Sequence, residues 1–313
     1  MMPGRRSQHS CRRRDGFIVV AALWILSALA ALASVYSIYV ANAATAVAVN
    51  DDAIRAEALV SAALELTAYQ VTAAPPKDRP SRGGFAFSMN GANIAVEFCS
   101  EAARVDLNKA SKALLAGLFG ALGAHPNDAE DYADRIAGWR SPPPSGSQDT
   151  EESLYQAAGR NYGPRGAPFA HVGELALVLG LPLAMAERAM PFVTVFSGRP
   201  EINVRDAAPE VLAALPGMTP ERLNALLSDR QSFTEQSSLT QFGSTQAVAT
   251  TEGSKAMRVT VRTVFDSGRK IVSEAVILID GRDEPYRVLS WQNDADMQPG
   301  AQPAVRNIGR GRS

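Results

Sequence analysis

Few side chains in this 313-residue chain are of a type and spacing that does chemistry. His9, His125 and His171 are too scattered to build a histidine metal site, which needs several ligands converging on one ion. Of the two cysteines, Cys11 lies in a basic N-terminal stretch and Cys99 in a predicted strand. No internal disulfide is expected, and Cys99 reads as a buried small hydrophobe rather than a reactive thiol. Arg135, Trp139 and Arg140 share a predicted helix, where such side chains cover a core more readily than they bind a substrate. There is no Gly-x-Ser-x-Gly elbow, no P-loop and no His-Glu-x-x-His pair. Acids alone do not make acid–base chemistry, so no enzymatic activity is expected.

One segment carries binding chemistry. Leu215-Pro216-Gly217-Met218 between two predicted helices is a helix-hairpin-helix pattern, whose backbone N–H groups can face a phosphate. It supports one reading of the chain as a membrane-anchored protein that binds or takes up DNA. Charge opposes that reading. Residues 199–233 hold four Arg against five acids, and residues 104–140 hold five Lys or Arg against five acids, whereas phosphate recognition needs surplus cations. Nucleic acid is therefore not expected as a partner.

The elements around these residues begin with a long apolar run. Arg5, Arg6, Arg12, Arg13 and Arg14 precede Gly16-Phe17, and the run beyond is uncharged as far as Asn50. About 20 apolar residues cross a bilayer as a helix. The basic flank keeps the N-terminus in the cytoplasm and places the remainder across the membrane. Residues 1–16 carry +4, so with a net charge of −1 overall the exported portion carries −5. The run is too long for a cleavable secretory signal, which leaves a single-pass anchor as the plain alternative.

Good helix formers continue past the run, with Ala53, Ala56, Val60, Ala63, Leu64, Thr67 and Val71 on one face, until Pro75-Pro76 stops the helix. A helix over 17–72 would be about 80 Å long, with its first half in lipid and its second half packed on a soluble domain. Strands are predicted at 85–87 and 93–99 around an Asn90-Gly91 turn, then at 257–265 and 270–279, with an edge strand at 286–291. Alternation along 258–265 predicts Val259, Val261, Thr263 and Phe265 inward, and Arg258, Thr260, Arg262 and Val264 on a largely solvated face. Consecutive strands usually share a sheet, so the helical block between them reads as an insertion into a small α+β domain. The tail 293–313, rich in Gly, Pro and Arg, reads as disordered.

That block repeats internally. Val105-Asp106-Leu107-Asn108 through Gly120 aligns without a gap on Ile202-Asn203-Val204-Arg205 through Gly217. Each copy predicts an extended piece, a helix from near Ser111 or Ala208 stopped at Gly120 or Gly217, and a second helix over 127–139 or 219–230. Thr219-Pro220-Glu221 supplies cap, N1 proline and early acid in the order a helix start requires.

Anchor, split sheet and paired helical modules together resemble the K-type minor pseudopilin family of type II secretion systems. The resemblance is carried by Gly16-Phe17 with its apolar run, by Val105-Asp106-Leu107-Asn108, and by Pro168-Phe169 with Glu174-Leu175 and Val178-Leu179-Gly180. Pro191-Phe192-Val193-Thr194 and Ile202-Asn203-Val204 complete it. It implies an α+β fold: a long N-terminal transmembrane helix and a pilin-like antiparallel sheet interrupted by a large all-α insertion with two helix-hairpin-helix or SAM-like repeats. The segments would be a leader at 1–16, the long helix at 17–74, the first part of the pilin-like domain at 75–101, and the insertion at 102–252. Its repeats would cover about 104–196 and 199–245, with closing strands at 253–292.

The resemblance also implies that prepilin peptidase cleaves between Gly16 and Phe17 and methylates the new N-terminus. Most pseudopilins place a glutamate at the fifth mature position. Here that residue is Ala21, as the K-type family shows, and a subunit at a filament tip has no neighbour above it to pair with. The implied partners are I-type and J-type pseudopilins at the tip of an inner-membrane filament that exports folded proteins across the outer membrane, with the soluble domain in the periplasm. A calcium site in the loop 141–152 is implied too, with Asp149, Glu151 and Glu152 as oxygen ligands. The carboxylates the family places earlier in that loop are Ser and Pro here, and three neighbouring acids are more often a solvated turn.

Overall fold

The computed structural model describes residues 15–75, 78–142, 151–230, 248–280 and 284–294. Helix α1 spans Asp15–Ala73, and strands β1 (Arg82–Met89) and β2 (Ala92–Ser100) follow. Then come β3 (Val105–Asp106), α2 (Lys112–Ala121), α3 (Pro126–Arg140), α4 (Glu151–Ala157), α5 (Leu183–Ala189) and β4 (Val193–Thr194). Strand β5 (Ile202–Asn203), α6 (Pro209–Ala213), α7 (Pro220–Asp229) and β6 (Ala249–Thr250) complete the intervening block. The chain closes with β7 (Ala256–Phe265), β8 (Lys270–Leu278) and β9 (Arg287–Asp294).

The chain divides into two units, the first ending at Ala58 and the second starting at Leu59. In the first, Phe17–Ala43 is long and apolar enough to cross a membrane, and none of its most apolar stretch is buried by protein. Its 27 residues rise about 40 Å, against roughly 30 Å of hydrocarbon. Without Gly or Pro, this Ala- and Leu-rich run has nothing to interrupt a helix. The Ser34 hydroxyl donates to the Ala30 carbonyl at 2.9 Å, so it brings its own partner into an apolar setting.

In the second unit the remainder of α1 buries Val60, Ala63, Leu64 and Val71, as helical spacing predicts, and also Leu59 and Ala68 beside them. Thr67 is buried as well, its hydroxyl donating to the Ala63 carbonyl at 2.8 Å. The sheet runs β1-β2-β7-β8-β9 and is antiparallel throughout. Ile94, Val96, Phe98, Val259 and Val261 supply its buried row. At the β1–β2 hairpin Asn90 and Gly91 have φ of 52° and 72°, the two left-handed residues a type I′ turn requires. Strands β2 and β7 are register partners although the whole helical block separates them, so that block is an insertion.

The insertion has its own core, in which Leu114, Leu118, Phe119, Ile136, Trp139 and Tyr155 pack with Val211, Leu212 and Leu226. Two expectations need correction. The insertion is not all-α, because β3 pairs with β4, and β5 with β6, as parallel two-residue ladders. Pieces this short show no alternation for a sequence to reveal. The helix stops are displaced too: α2 runs past Gly120 to Ala121, capped at Leu122 with Gly123 (φ of 94°) just beyond, and α6 ends at Ala213, short of Gly217. Gly123 N–H bonds the Gly120 carbonyl and Ala124 N–H the Phe119 carbonyl, a paired C-terminal closure that selects glycine one residue beyond the cap.

Candidate functional site

Three places bear on function: the start of α1, the acidic loop, and the junction where the insertion leaves and rejoins the sheet. Gly16 and Phe17 lie in the first turn of α1, and Phe17 is 76% exposed. Ala21 stands one helical turn later on the same side. Of the acidic trio, Asp149 lies outside the described residues. Glu151 opens α4 and pairs with Arg135 Nη1 at 2.8 Å, while Glu152 beside it is exposed. Among the described residues no group of three or more metal-ligating side chains is assembled.

The two copies of the repeat share their backbone chemistry. Asp106 Oδ1 accepts from Asn108 N–H at 2.8 Å, and Asn203 Oδ1 from Arg205 N–H at 2.9 Å. The carbonyls of the same two residues accept from Ala110 and Ala207. Leu107 N–H bonds the Thr194 carbonyl on β4, and Val204 N–H bonds Thr250 on β6. The second helix of each copy sends an arginine back: Arg140 to the carbonyls of Leu107 and Ala110, and Arg230 to that of Ala207. Burial lowers the pKa of both arginines. Equivalent positions meet where the copies pack, since a Cβ at Gly117 would collide with the Ala214 carbonyl.

Trp139 lies in this core and donates from Nε1 to Glu174 Oε2 at 3.0 Å, so the residues singled out on α3 all hold structure. At the hairpin loop, Gly217 has φ of 74° and its carbonyl accepts from Arg222 Nη1 at 3.0 Å. The Thr219 hydroxyl caps α7 by accepting from Arg222 N–H. Cys99 is free, and burial, followed by the charge of Asp206, pushes its thiol up to about 11. It is poorly suited to act as a nucleophile.

The junction was not singled out from sequence. Ser100 ends β2, and its hydroxyl accepts from Ser254 N–H at 2.7 Å and Ala102 N–H at 3.2 Å, pinning both crossings together. Next to it Glu101, with a side chain 0% exposed, receives Arg258 Nε on Oε1 at 2.7 Å and Arg258 Nη2 on Oε2 at 3.0 Å. Arg104 Nη1 reaches Oε1 at 3.2 Å, and the Thr194 hydroxyl donates to Oε2. Arg258 also pairs with Glu274 on β8. Burial alone would raise the Glu101 pKa, but the hydrogen bonds and charge of Arg258, the charge of Arg104 and the Thr194 hydroxyl together hold it below its ordinary value. The same carboxylates push the Arg258 pKa up against its own desolvation.

Arg258 corrects the expectation of a solvated face, because its side chain is only 17% exposed. Its place in the β7 alternation is as predicted, but Glu101 at the crossing into the insertion and Glu274 on the neighbouring strand β8 pair with it there. An acid directly after a strand, in Ser100-Glu101-Ala102-Ala103, was the one signal available.

Residues 92–198 match the family described as type II secretion system (T2SS), protein K. The fold is similar to a chain in a solved crystal structure, the GspK-GspI-GspJ complex from the enterotoxigenic Escherichia coli type 2 secretion system. The TM-score is 0.57 at 16% identity, and the alignment covers 78% of this chain and 98% of that one. No curated protein matches the chain. The family match starts at β2 and ends at Gly198, so it takes in Glu101, Arg104 and Thr194 of the junction.

Proposed function

We propose that this chain is a minor pseudopilin of the K type, a structural part of a type II secretion filament rather than a catalyst. The observation that carries the proposal is the protein K match across 92–198, which runs unbroken from the sheet into the insertion. The 27-residue apolar span at the start of α1 supports it, since a filament subunit of this kind needs an anchor and has no use for a soluble N-terminus. In this reading the N-terminus is cytoplasmic, α1 crosses the inner membrane once, and the sheet and insertion work in the periplasm. Prepilin peptidase removes the leader between Gly16 and Phe17 and methylates Phe17.

The partners are I-type and J-type pseudopilins, as in the solved complex. Ala21, in place of the usual glutamate, supports a position at the tip of a filament that exports folded proteins across the outer membrane. A carboxylate there would be costly in lipid and would have no amine above it to neutralise. The paired helical copies serve as helix-hairpin-helix or SAM-like packing units. Calcium held by Glu151 would compete with Arg135 for Glu151 Oε2.

Mass spectrometry of the membrane-extracted protein tests the processing, with a methylated Phe17 N-terminus expected. An intact leader reduces the protein to a plain anchor. Co-purification with I-type and J-type subunits tests the assembly. Steeply salt-dependent binding of duplex DNA would instead favour the DNA-uptake reading.

A further inference from the structure

The insertion is joined to the sheet by two backbone crossings, at Ser100-Glu101 and at Gly253-Ser254, which lie side by side. Two adjacent crossings form a hinge unless something braces them. One carboxylate does so. Glu101 is gripped by Arg258 from β7, by Arg104 from the segment leading to β3, and by Thr194 from β4. Arg258 is itself braced by Glu274 on β8, and Arg104 Nε donates to the Pro191 carbonyl just before β4 at 3.1 Å. A second polar contact between sheet and insertion, Gln292 Nε2 to His171 Nε2 at 3.4 Å, is exposed.

A pairwise ion pair would still let the insertion swivel. Donors from three separate places converging on one planar group fix its orientation, and the two-pronged Arg258 contact fixes the plane itself. Buried ion pairs add little net stability over an apolar pair of similar volume, so stability is a weak reason for a fully buried Glu among alanines. We propose that the Glu101–Arg258 cluster is a clasp that holds the helical insertion at one fixed angle to the sheet. The insertion and the sheet then move as one body, and a load on either reaches the other through this group of side chains. The clasp stands whether or not the chain is a secretion component, because it rests on the junction alone.

The test uses the full chain in detergent micelles, with Cys11 and Cys99 replaced by Ser and spin labels at Ser88→Cys on β1 and Asn127→Cys on α3. Pulsed electron–electron distance measurements on the clasped protein should give one narrow distribution. In Glu101→Leu/Arg258→Met, which replaces the central charge pair with apolar volume, the distribution should broaden roughly twofold or more while circular dichroism still reports a folded chain. An unchanged width in the folded double variant overturns the clasp. If that variant does not fold, Arg104→Met/Thr194→Val keeps the central charge pair and removes two grips, and the same widths decide. Loss of fold in both variants also overturns the proposal, since the cluster would then belong to a core common to both parts.

Discussion

Two glycines three residues apart on α2 face opposite demands. A Cβ at Gly117 would strike the Ala214 backbone, whereas one at Gly120 meets nothing within 4 Å. Gly117→Ala should therefore destabilise the protein by about 1–3 kcal/mol, and Gly120→Ala should stabilise it by about 0.5–1 kcal/mol, both read from urea melts. Glu101 gives a pH-dependent prediction. Its folded carboxyl titrates below its ordinary value, so its contribution is complete above about pH 4.3 and is lost as pH falls through the lower folded value. Glu101→Gln should cost about 3 kcal/mol near neutrality by leaving the arginines under-compensated, and should flatten the acid limb of the stability profile. The Asn90-Gly91 turn and the Thr219 cap were legible in the sequence because the chemistry that makes each is complete within about three residues. Arg258 was not, because its partners Glu101 and Glu274 reach it from other elements and only the fold supplies them.

Elements were legible in proportion to their length. The apolar run, the buried face of α1 and the five strands each repeat a period often enough to be read, and their ends moved by only a few residues. The ladders β3–β4 and β5–β6 hold two residues per strand, below what any period can show, although Asp106 and Asn203, which end β3 and β5, stood out through the repeat. The span Phe17–Ala43 makes the sharpest prediction at this scale. Leu29→Arg at its centre should weaken membrane insertion by roughly 3 kcal/mol, visible as protein released from the membrane fraction by alkaline extraction. A Leu29→Ile control should remain bound.

For the whole molecule, the crossing geometry makes the insertion removable. Ser100 and Met257 are cross-strand partners, so replacing the residues between them with a short Asn-Gly turn should leave a β1-β2-β7-β8-β9 sheet that still gives a strand-type circular dichroism spectrum. Loss of the sheet signal would show that the insertion is needed to form it. The division of a sheet by a helical block was legible because strand patterns stood on both sides of it. The same adjacency of Ser100 and Met257 sets an order of events when the chain folds. Bringing together two residues more than 150 positions apart costs roughly 4–5 kcal/mol in chain entropy if everything between them is still a coil. An insertion that has already condensed presents its two ends as neighbours and removes most of that barrier, so the central β2–β7 ladder should wait for it. Pulse-labelled hydrogen exchange during refolding should find the amides of α2 and α3 protected before those of β2 and β7. The last part of the sheet to zip up would then be its middle.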